Sequence, residues 1–368
     1  LVDFRGEDSD IVFMMKRNAL ILVWFTLFSM GFALGGCSEA ELETPAAQEQ
    51  EGDNTSADPA EPNTPDNSDN SDATDSVDSS EPDDNGDPWV SPEGLTERLT
   101  LSHNGRDRRY FLHVPENLPQ HAPLLIVMHG YTGSAGNIME YSGLNQVADE
   151  NGFVVAYPQG VRDESGNRFF NVGYDFHSDE DAAVDDIGFI RALVGSLQET
   201  YSLSEKNVFA TGMSNGGDMS YMLACQASDV FKAIAPVAGM ILQWIYDSCS
   251  PENPMPVFEI HGTNDYVTYW EGDMDNEDGW GAYPDVPTMM NFWVDLNGLE
   301  LSETTDLADS NTSDGSNVVF ERYFSESSSN EVWLYKVVGG GHDWPGANGN
   351  MDINASTEMW MFFSKFLD

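Results

Sequence analysis

The stretch Asn207-Val-Phe-Ala-Thr-Gly-Met-Ser-Asn-Gly-Gly217 constrains this chain more than any other, because it sets Ser214 inside Gly212-x-Ser214-x-Gly216 between an apolar run and a helix-like segment. Residues 207–211 read as a short buried strand, and Met219, Met222 and Leu223 recur at helical spacing over residues 218–227. A strand that passes into a helix through a glycine-flanked serine makes a sharp corner. Gly212 and Gly216 carry no Cβ, so the backbone can bend and the helix can pack close to the strand. The pattern alone also describes ordinary turn serines; the strand before it and the helix after it favour a nucleophile.

Other apolar runs extend the same architecture. Residues 124–128, 153–156, 208–210, 233–237, 257–260 and 332–338 alternate with helical stretches, including residues 185–201, and residues 110–115 read as an additional early strand. That alternation predicts an α/β fold, with a mostly parallel central sheet and helices on both faces. Ligand sites in such sheets lie at the carboxyl ends of the strands, where loops of different origin converge.

Two further residues stand at such ends. The strand at 256–262 runs into Thr263-Asn264-Asp265, and the strand at 332–338 runs into Gly339-Gly-Gly-His342. Ser, Asp and His in this order match the chain order of α/β-hydrolase triads. His342 is expected to take the Ser214 proton, and Asp265 to fix the imidazole tautomer. Taken singly, Asp265 can also be read as an Asx-turn residue and His342 as a loop histidine packed on Trp344. The strand at 124–128 ends in His129-Gly130, so the backbone N–H groups of Tyr131 and Asn215 are the expected oxyanion donors. His129 and His261, each followed by glycine at a strand end, read as structural, hydrogen-bonded histidines.

With these residues assembled, the chain resembles the polyhydroxybutyrate-depolymerase and feruloyl-esterase-like hydrolases, close to carbohydrate esterase family one. The resemblance begins near Leu99 and rests on ordered blocks: His129-Gly130, Tyr157-Pro-Gln-Gly160, Val184-Asp-Asp-Ile-Gly-Phe-Ile190, Thr211-Gly-Met-Ser-Asn-Gly-Gly217, Ala235-Pro-Val-Ala-Gly239, His261-Gly-Thr-Asn-Asp265 and Gly339-Gly-Gly-His-Asp-Trp-Pro-Gly346. It implies an α/β-hydrolase fold, a Ser214–Asp265–His342 triad and ester hydrolysis through an acyl-enzyme. Between Gly160 and Asp185 the chain departs from many relatives: Phe169-Phe-Asn-Val-Gly-Tyr-Asp-Phe-His177 replaces a Trp-Asn and a vicinal cysteine pair. Substrate identity therefore does not carry over with the blocks.

The first ninety residues follow different rules. Residues 1–13 are polar and read as an extension ahead of Met14-Met-Lys-Arg17, a basic n-region followed by an apolar core over 19–34 and by Leu34-Gly-Gly-Cys37. That is a lipoprotein-type leader with Cys37 as the acylated residue, or, read otherwise, an uncleaved membrane anchor. Residues 38–92 form an acidic segment with almost no large apolar side chain, which cannot bury enough surface to offset its ordering entropy and reads as a disordered tether. Residues 93–368 are left as the catalytic domain. The expected setting is export to a cell surface or outer membrane, possible release to the medium included, with membrane contact through the lipid anchor only.

Charge and cysteines narrow the partners. With 63 acidic against 15 basic residues the formal net charge is −48, which excludes nucleic acid and points to neutral ester or polyester substrates. No metal or cofactor is expected: Asp278 occupies the sixth position of the acidic run 273–279, where an EF-hand loop needs glycine. Asp186 is expected to serve the N-terminus of its helix or, read otherwise, to order the adjacent loop, and Asn354 or Ser356 to cap the last one. Of the three cysteines, Cys225 and Cys249 remain as an even pair beside Cys37, read as a disulfide or as two buried thiols. The aromatics near the predicted site, Tyr131, Phe169, Phe170, Tyr174, Phe176, Tyr269, Trp270, Trp280 and Trp344, read as a stacking cleft or as core packing, with Trp270 and Trp344 expected to line the cleft. A peptidase of the same fold and a catalytically silent polymer-binding surface protein are the competing readings. The polar insert at 297–330 has no derivable conformation.

Overall fold

The computed structural model describes residues 96–368; the leader with Cys37 and the acidic tether lie outside the described residues. An edge hairpin, β1 (Thr96–His103) and β2 (Arg106–His113), is followed by β3 (Leu124–Met128), α1 (Ala135–Ser142), α2 (Leu144–Asn151) and β4 (Val154–Pro158). A small ribbon, β5 (Val161–Arg162) and β6 (Arg168–Phe169), then precedes α3 (Asp179–Ala182) and α4 (Asp186–Tyr201). The corner read from the sequence follows as β7 (Val208–Met213) and α5 (Asn215–Gln226), then β8 (Ala233–Val237), α6 (Gln243–Ser248) and β9 (Val257–Gly262). The chain ends through α7 (Val286–Asn297), β10 (Leu301–Asp306), β11 (Asn317–Ser325), β12 (Ser328–Val338) and α8 (Ala355–Ser364).

The main sheet has ten strands in the order β1-β2-β4-β3-β7-β8-β9-β12-β11-β10. Its centre, from β4 through β12, is parallel, and an antiparallel hairpin closes each edge. The central strands β3, β4 and β8 are apolar because both faces are covered. Leu124, Ile126 and Met128 point into one core with residues of α4, α5 and α7, while Leu125 and Val127 point into the other with residues of α1, α2 and α8. Each such side chain taken fully from water contributes about 1.5–3 kcal/mol.

The insert that sequence left open forms β10, β11 and the start of β12. Every residue of β10 is exposed, so its pairing with β11 supplies the order that an apolar pattern supplies elsewhere. Asn354 caps α8, its side chain accepting from Thr357 N. The helix after Ser214 starts at Asn215, three residues before the apolar spacing becomes visible. Of the two readings of Asp186 the structure realises the loop-ordering one: Asp185 is the cap of α4, accepting from Gly188 N, while Asp186 is buried and takes a 2.5 Å ion pair from Arg108 and the Asn171 N–H of the preceding loop at 2.7 Å. Cys225 and Cys249 are joined as a disulfide that ties the end of α5 to the end of α6.

Candidate active site

Ser214 sits between β7 and α5 with φ 55° and ψ −123°, a conformation that costs a non-glycine residue about 1–3 kcal/mol. Its N–H donates to Val237 O at 2.9 Å, which pins the corner to β8. The corner closes only because Gly216 lacks a side chain: a Cβ there would collide with the Met128 carbonyl of β3. Gly130 runs across the serine from the other side, close enough that a Cβ on it would lie 3.3 Å from Ser214 Cβ. The backbone after β3 and the first turn of α5 thus flank the Ser214 hydroxyl.

His129 holds that backbone in place. The Gly160 N–H donates to His129 Nε2 at 3.0 Å, so Nε2 is the acceptor and Nδ1–H donates to Gly130 O at 2.7 Å. Burial pulls this imidazole down to about 4, which keeps it neutral and in that tautomer. It is a structural histidine, as its strand-end position predicts.

Asp265 and His342 stand in the loops that follow β9 and β12, strands that are neighbours in the sheet although the two residues are 77 apart in sequence. The His342 Nδ1–H donates to Asp265 Oδ2 at 2.8 Å. Asp265 Oδ1 accepts the N–H groups of Val267 and Thr268 at 2.8 and 2.9 Å. One oxygen of Asp265 thus closes an Asx-turn and the other faces the imidazole. Burial works against this carboxylate, but His342, His261 and the backbone donor more than offset it and hold it below the usual range. The two loops are stitched together: Asn264 N donates to Gly340 O and Thr263 N to Val337 O, each at 2.9 Å. Gly262 permits this, because a Cβ there would meet the carbonyls of Gly340 and Gly341.

The Asn215 side chain was not anticipated. Its Oδ1 accepts the Phe170 N–H at 2.7 Å, and its Nδ2 donates to Phe170 O at 2.9 Å and to the Tyr174 hydroxyl at 3.1 Å. Asp218, one turn further along α5, accepts from Tyr174 and from Met240 N. These bonds fix the loop at 169–177, the region where sequence gave no guide. Tyr174 and Phe176 of that loop form an aromatic cluster with Tyr131 and Trp280, ring centroids 5.1–6.3 Å apart. Phe176 is 47% exposed, so the cluster presents an apolar face to solvent beside the Gly130 turn.

Trp344 and Trp270 do not line that face, which corrects the expectation for both. Trp344 is 1% exposed, packed under α8 with its indole N–H on Ser356. Trp270 is 8% exposed and covered by Lys336, whose Nζ lies 5.0 Å from the ring centroid. Proximity to a site residue along the chain sent neither ring into the cleft, because the adjoining loops turn their large apolar side chains into the core.

Comparison with known proteins gives the geometry a family. Residues 109–310, more than half of the chain, match the family described as esterase PHB depolymerase. The protein named "Putative esterase NocK" of Nocardia uniformis subsp. tsuyamanensis is 31% identical over 253 residues, covering 66% of this chain and 72% of its own. Feruloyl esterase B of Piromyces equi is 31% identical over 225 residues, covering 60% of this chain and 39% of that protein. Among solved structures, the acetyl xylan esterase from Aspergillus awamori superposes with a TM-score of 0.50 at 15% identity, over 74% of this chain and all of that one, a likeness of fold. With the Ser214 corner, the Asp265–His342 pair and the parallel sheet that carries them, the chain belongs to the esterase PHB depolymerase family and has the α/β-hydrolase fold.

Proposed function

We propose that this protein is a serine esterase that hydrolyses neutral carboxylic esters through an acyl-enzyme on Ser214. One observation carries the reading: Asp265 accepts a hydrogen bond from the Nδ1–H of His342 at 2.8 Å, which leaves Nε2 as the basic nitrogen at the strand ends where Ser214 stands. In the first half-reaction Nε2 accepts the Ser214 proton as Oγ bonds to the ester carbonyl carbon. The oxyanion meets the N–H groups of Asn215 and Tyr131, and His342 then protonates the leaving alcohol as its C–O bond breaks. Water repeats the sequence and releases the acid. The Ser214 N–H is already bound to Val237, so Asn215 is the donor available on the helix side.

The aromatic face at Tyr131, Phe176 and Trp280 supports an aromatic acyl group or a polyester chain as substrate, and the names of the family and of its feruloyl esterase relative agree with that choice. The acidic composition favours neutral esters and release of carboxylate products. The leader and Cys37 support export and lipid attachment, with residues 38–92 as a tether for a catalytic domain over 93–368. Burst kinetics on p-nitrophenyl acetate, methyl ferulate and a hydroxybutyrate oligomer test the proposal. Loss of turnover in Ser214→Ala is the expected result, and the ranking of esters selects the acyl class; turnover retained by a folded Ser214→Ala protein overturns it.

A further inference from the structure

The triad carboxylate has a second imidazole behind it. His261, on the same strand as Glu259, is 1% exposed, and its Nε2 lies 2.8 Å from Thr268 O and 3.7 Å from Asp265 Oδ2. Its Nδ1 lies 2.9 Å from Glu259 Oε1. Both ring nitrogens thus face oxygens that accept. Glu259 is buried too, and it also accepts from the Tyr221 hydroxyl at 2.8 Å and from Gly239 N at 3.2 Å. A carboxyl group surrounded by three donors is satisfied as a carboxylate, and an imidazole between two acceptors is satisfied as a cation.

We propose that His261, held by Glu259, is a positioning residue for the reaction: it places a positive charge behind Asp265 and so limits how tightly that carboxylate holds a proton on His342. The proposal rests on the reading of Ser214, Asp265 and His342 as the triad. The surroundings agree with it. On α5 the groups facing the pair are Tyr221 and Asp218; on β12 Lys336 lies opposite His261 in register and covers Trp270, whose ring meets His261 at 6.1 Å. Asp265 and His342 complete the set. Burial disfavours a charged imidazole here, yet the Glu259 hydrogen bond and charge, with Asp265, raise its proton affinity overall. Removing either member of the pair leaves the other neutral, because neither charge survives burial alone.

The test is the pH profile of kcat/KM for Glu259→Gln, His261→Gln and the double variant on p-nitrophenyl acetate. Each is expected to move the acid limb to higher pH by about one unit, roughly a tenfold loss at a fixed acidic pH, with the double variant no worse than either single one. Acid limbs that coincide with wild type in folded variants overturn the proposal, since a purely structural role lowers stability and leaves the profile in place. Nitrogen NMR of the wild-type protein provides a readout free of folding defects. Both His261 ring nitrogens are expected to stay protonated above the pH at which a free imidazole loses its proton, and a His261 that is neutral throughout the range where the enzyme works overturns the proposal. Failure of the triad reading is told apart by Ser214→Ala: turnover that persists refutes the triad and this role together, whereas turnover lost with unmoved acid limbs refutes only the role of His261.

Discussion

Asn215 and Phe170 exchange hydrogen bonds as two strands would, the side-chain amide of one answering the backbone of the other at 2.7 and 2.9 Å. The residue after the nucleophile therefore has two jobs. In the proposed mechanism its backbone N–H is an oxyanion donor, and its fully buried side chain fixes the loop at 169–177.

Asn215→Ala separates those jobs, because it keeps the N–H and deletes the clamp. Leaving the Phe170 amide and carbonyl without partners costs about 2–4 kcal/mol in total. Urea unfolding should show that loss. Turnover of p-nitrophenyl acetate should fall less than turnover of methyl ferulate, which needs the wall. Unchanged stability would mean that the loop is held by its other contacts.

Asp265→Asn is predicted to fold and to lose about 10³- to 10⁴-fold in kcat. The reason lies in the Asx-turn. The Val267 and Thr268 N–H groups need an oxygen at the Oδ1 position, so the new NH₂ takes the Oδ2 position and donates to His342 Nδ1. The imidazole must then carry its proton on Nε2, where it cannot accept one from Ser214. A residual rate within tenfold of wild type would argue against this tautomer assignment.

Asp218 makes stability depend on pH. Burial raises its carboxyl to about 7, against 3.8 for the ordinary group. Between those values the folded chain holds a proton that the unfolded chain releases. The stabilisation is complete below about pH 4 and is lost as pH rises through 7, at most roughly 4 kcal/mol. Unfolding free energies at pH 5 and pH 8 should therefore differ less in Asp218→Asn than in wild type. Equal differences in the two proteins would show that Asp218 stays ionised throughout.

The elbow, the central strands and the order of Ser214, Asp265 and His342 were legible because each is local: a fully apolar run, a glycine pair, a strand end. What escaped depends on distant partners. Asp186 looks like a first-turn carboxylate until Arg108, 78 residues away in sequence, is seen against it. Residues 301–306 carry no apolar alternation, so nothing in them announces a strand; β11 makes them one. The loop at 169–177 takes its shape from Asn215 and Asp186; a loop-ordering role for Asp186 was open to sequence reading, but the side-chain clamp of Asn215 has no sequence signature.

The Cys225–Cys249 bond closes a loop with a sequence separation of 24, for which the chain-entropy term is about 3 kcal/mol. Replacing both cysteines by serine should lower the urea midpoint accordingly and leave the profile of kcat/KM against pH unchanged. Alkylation of both thiols in denatured, unreduced protein would show that the bond is not formed.

Two tryptophans give the sharpest test of where the substrate lies. Trp344 is 1% exposed and belongs to the core under α8, so Trp344→Ala should cost about 3–5 kcal/mol of stability and treat all esters alike. Trp280 is half-buried against Tyr131, Tyr174 and Phe176 at ring distances of 5.1–5.6 Å, and its loop is tied to the 169–177 loop by Asp175 N donating to Trp280 O. Its removal opens the apolar wall without emptying the core. Trp280→Ala should raise KM for methyl ferulate about fivefold to tenfold, the equivalent of ~1–1.4 kcal/mol of ring contact, and leave KM for p-nitrophenyl acetate nearly unchanged. Equal effects on the two esters would remove the aromatic cluster from the binding cleft, and with it the structural argument for an aromatic or polymeric acyl group.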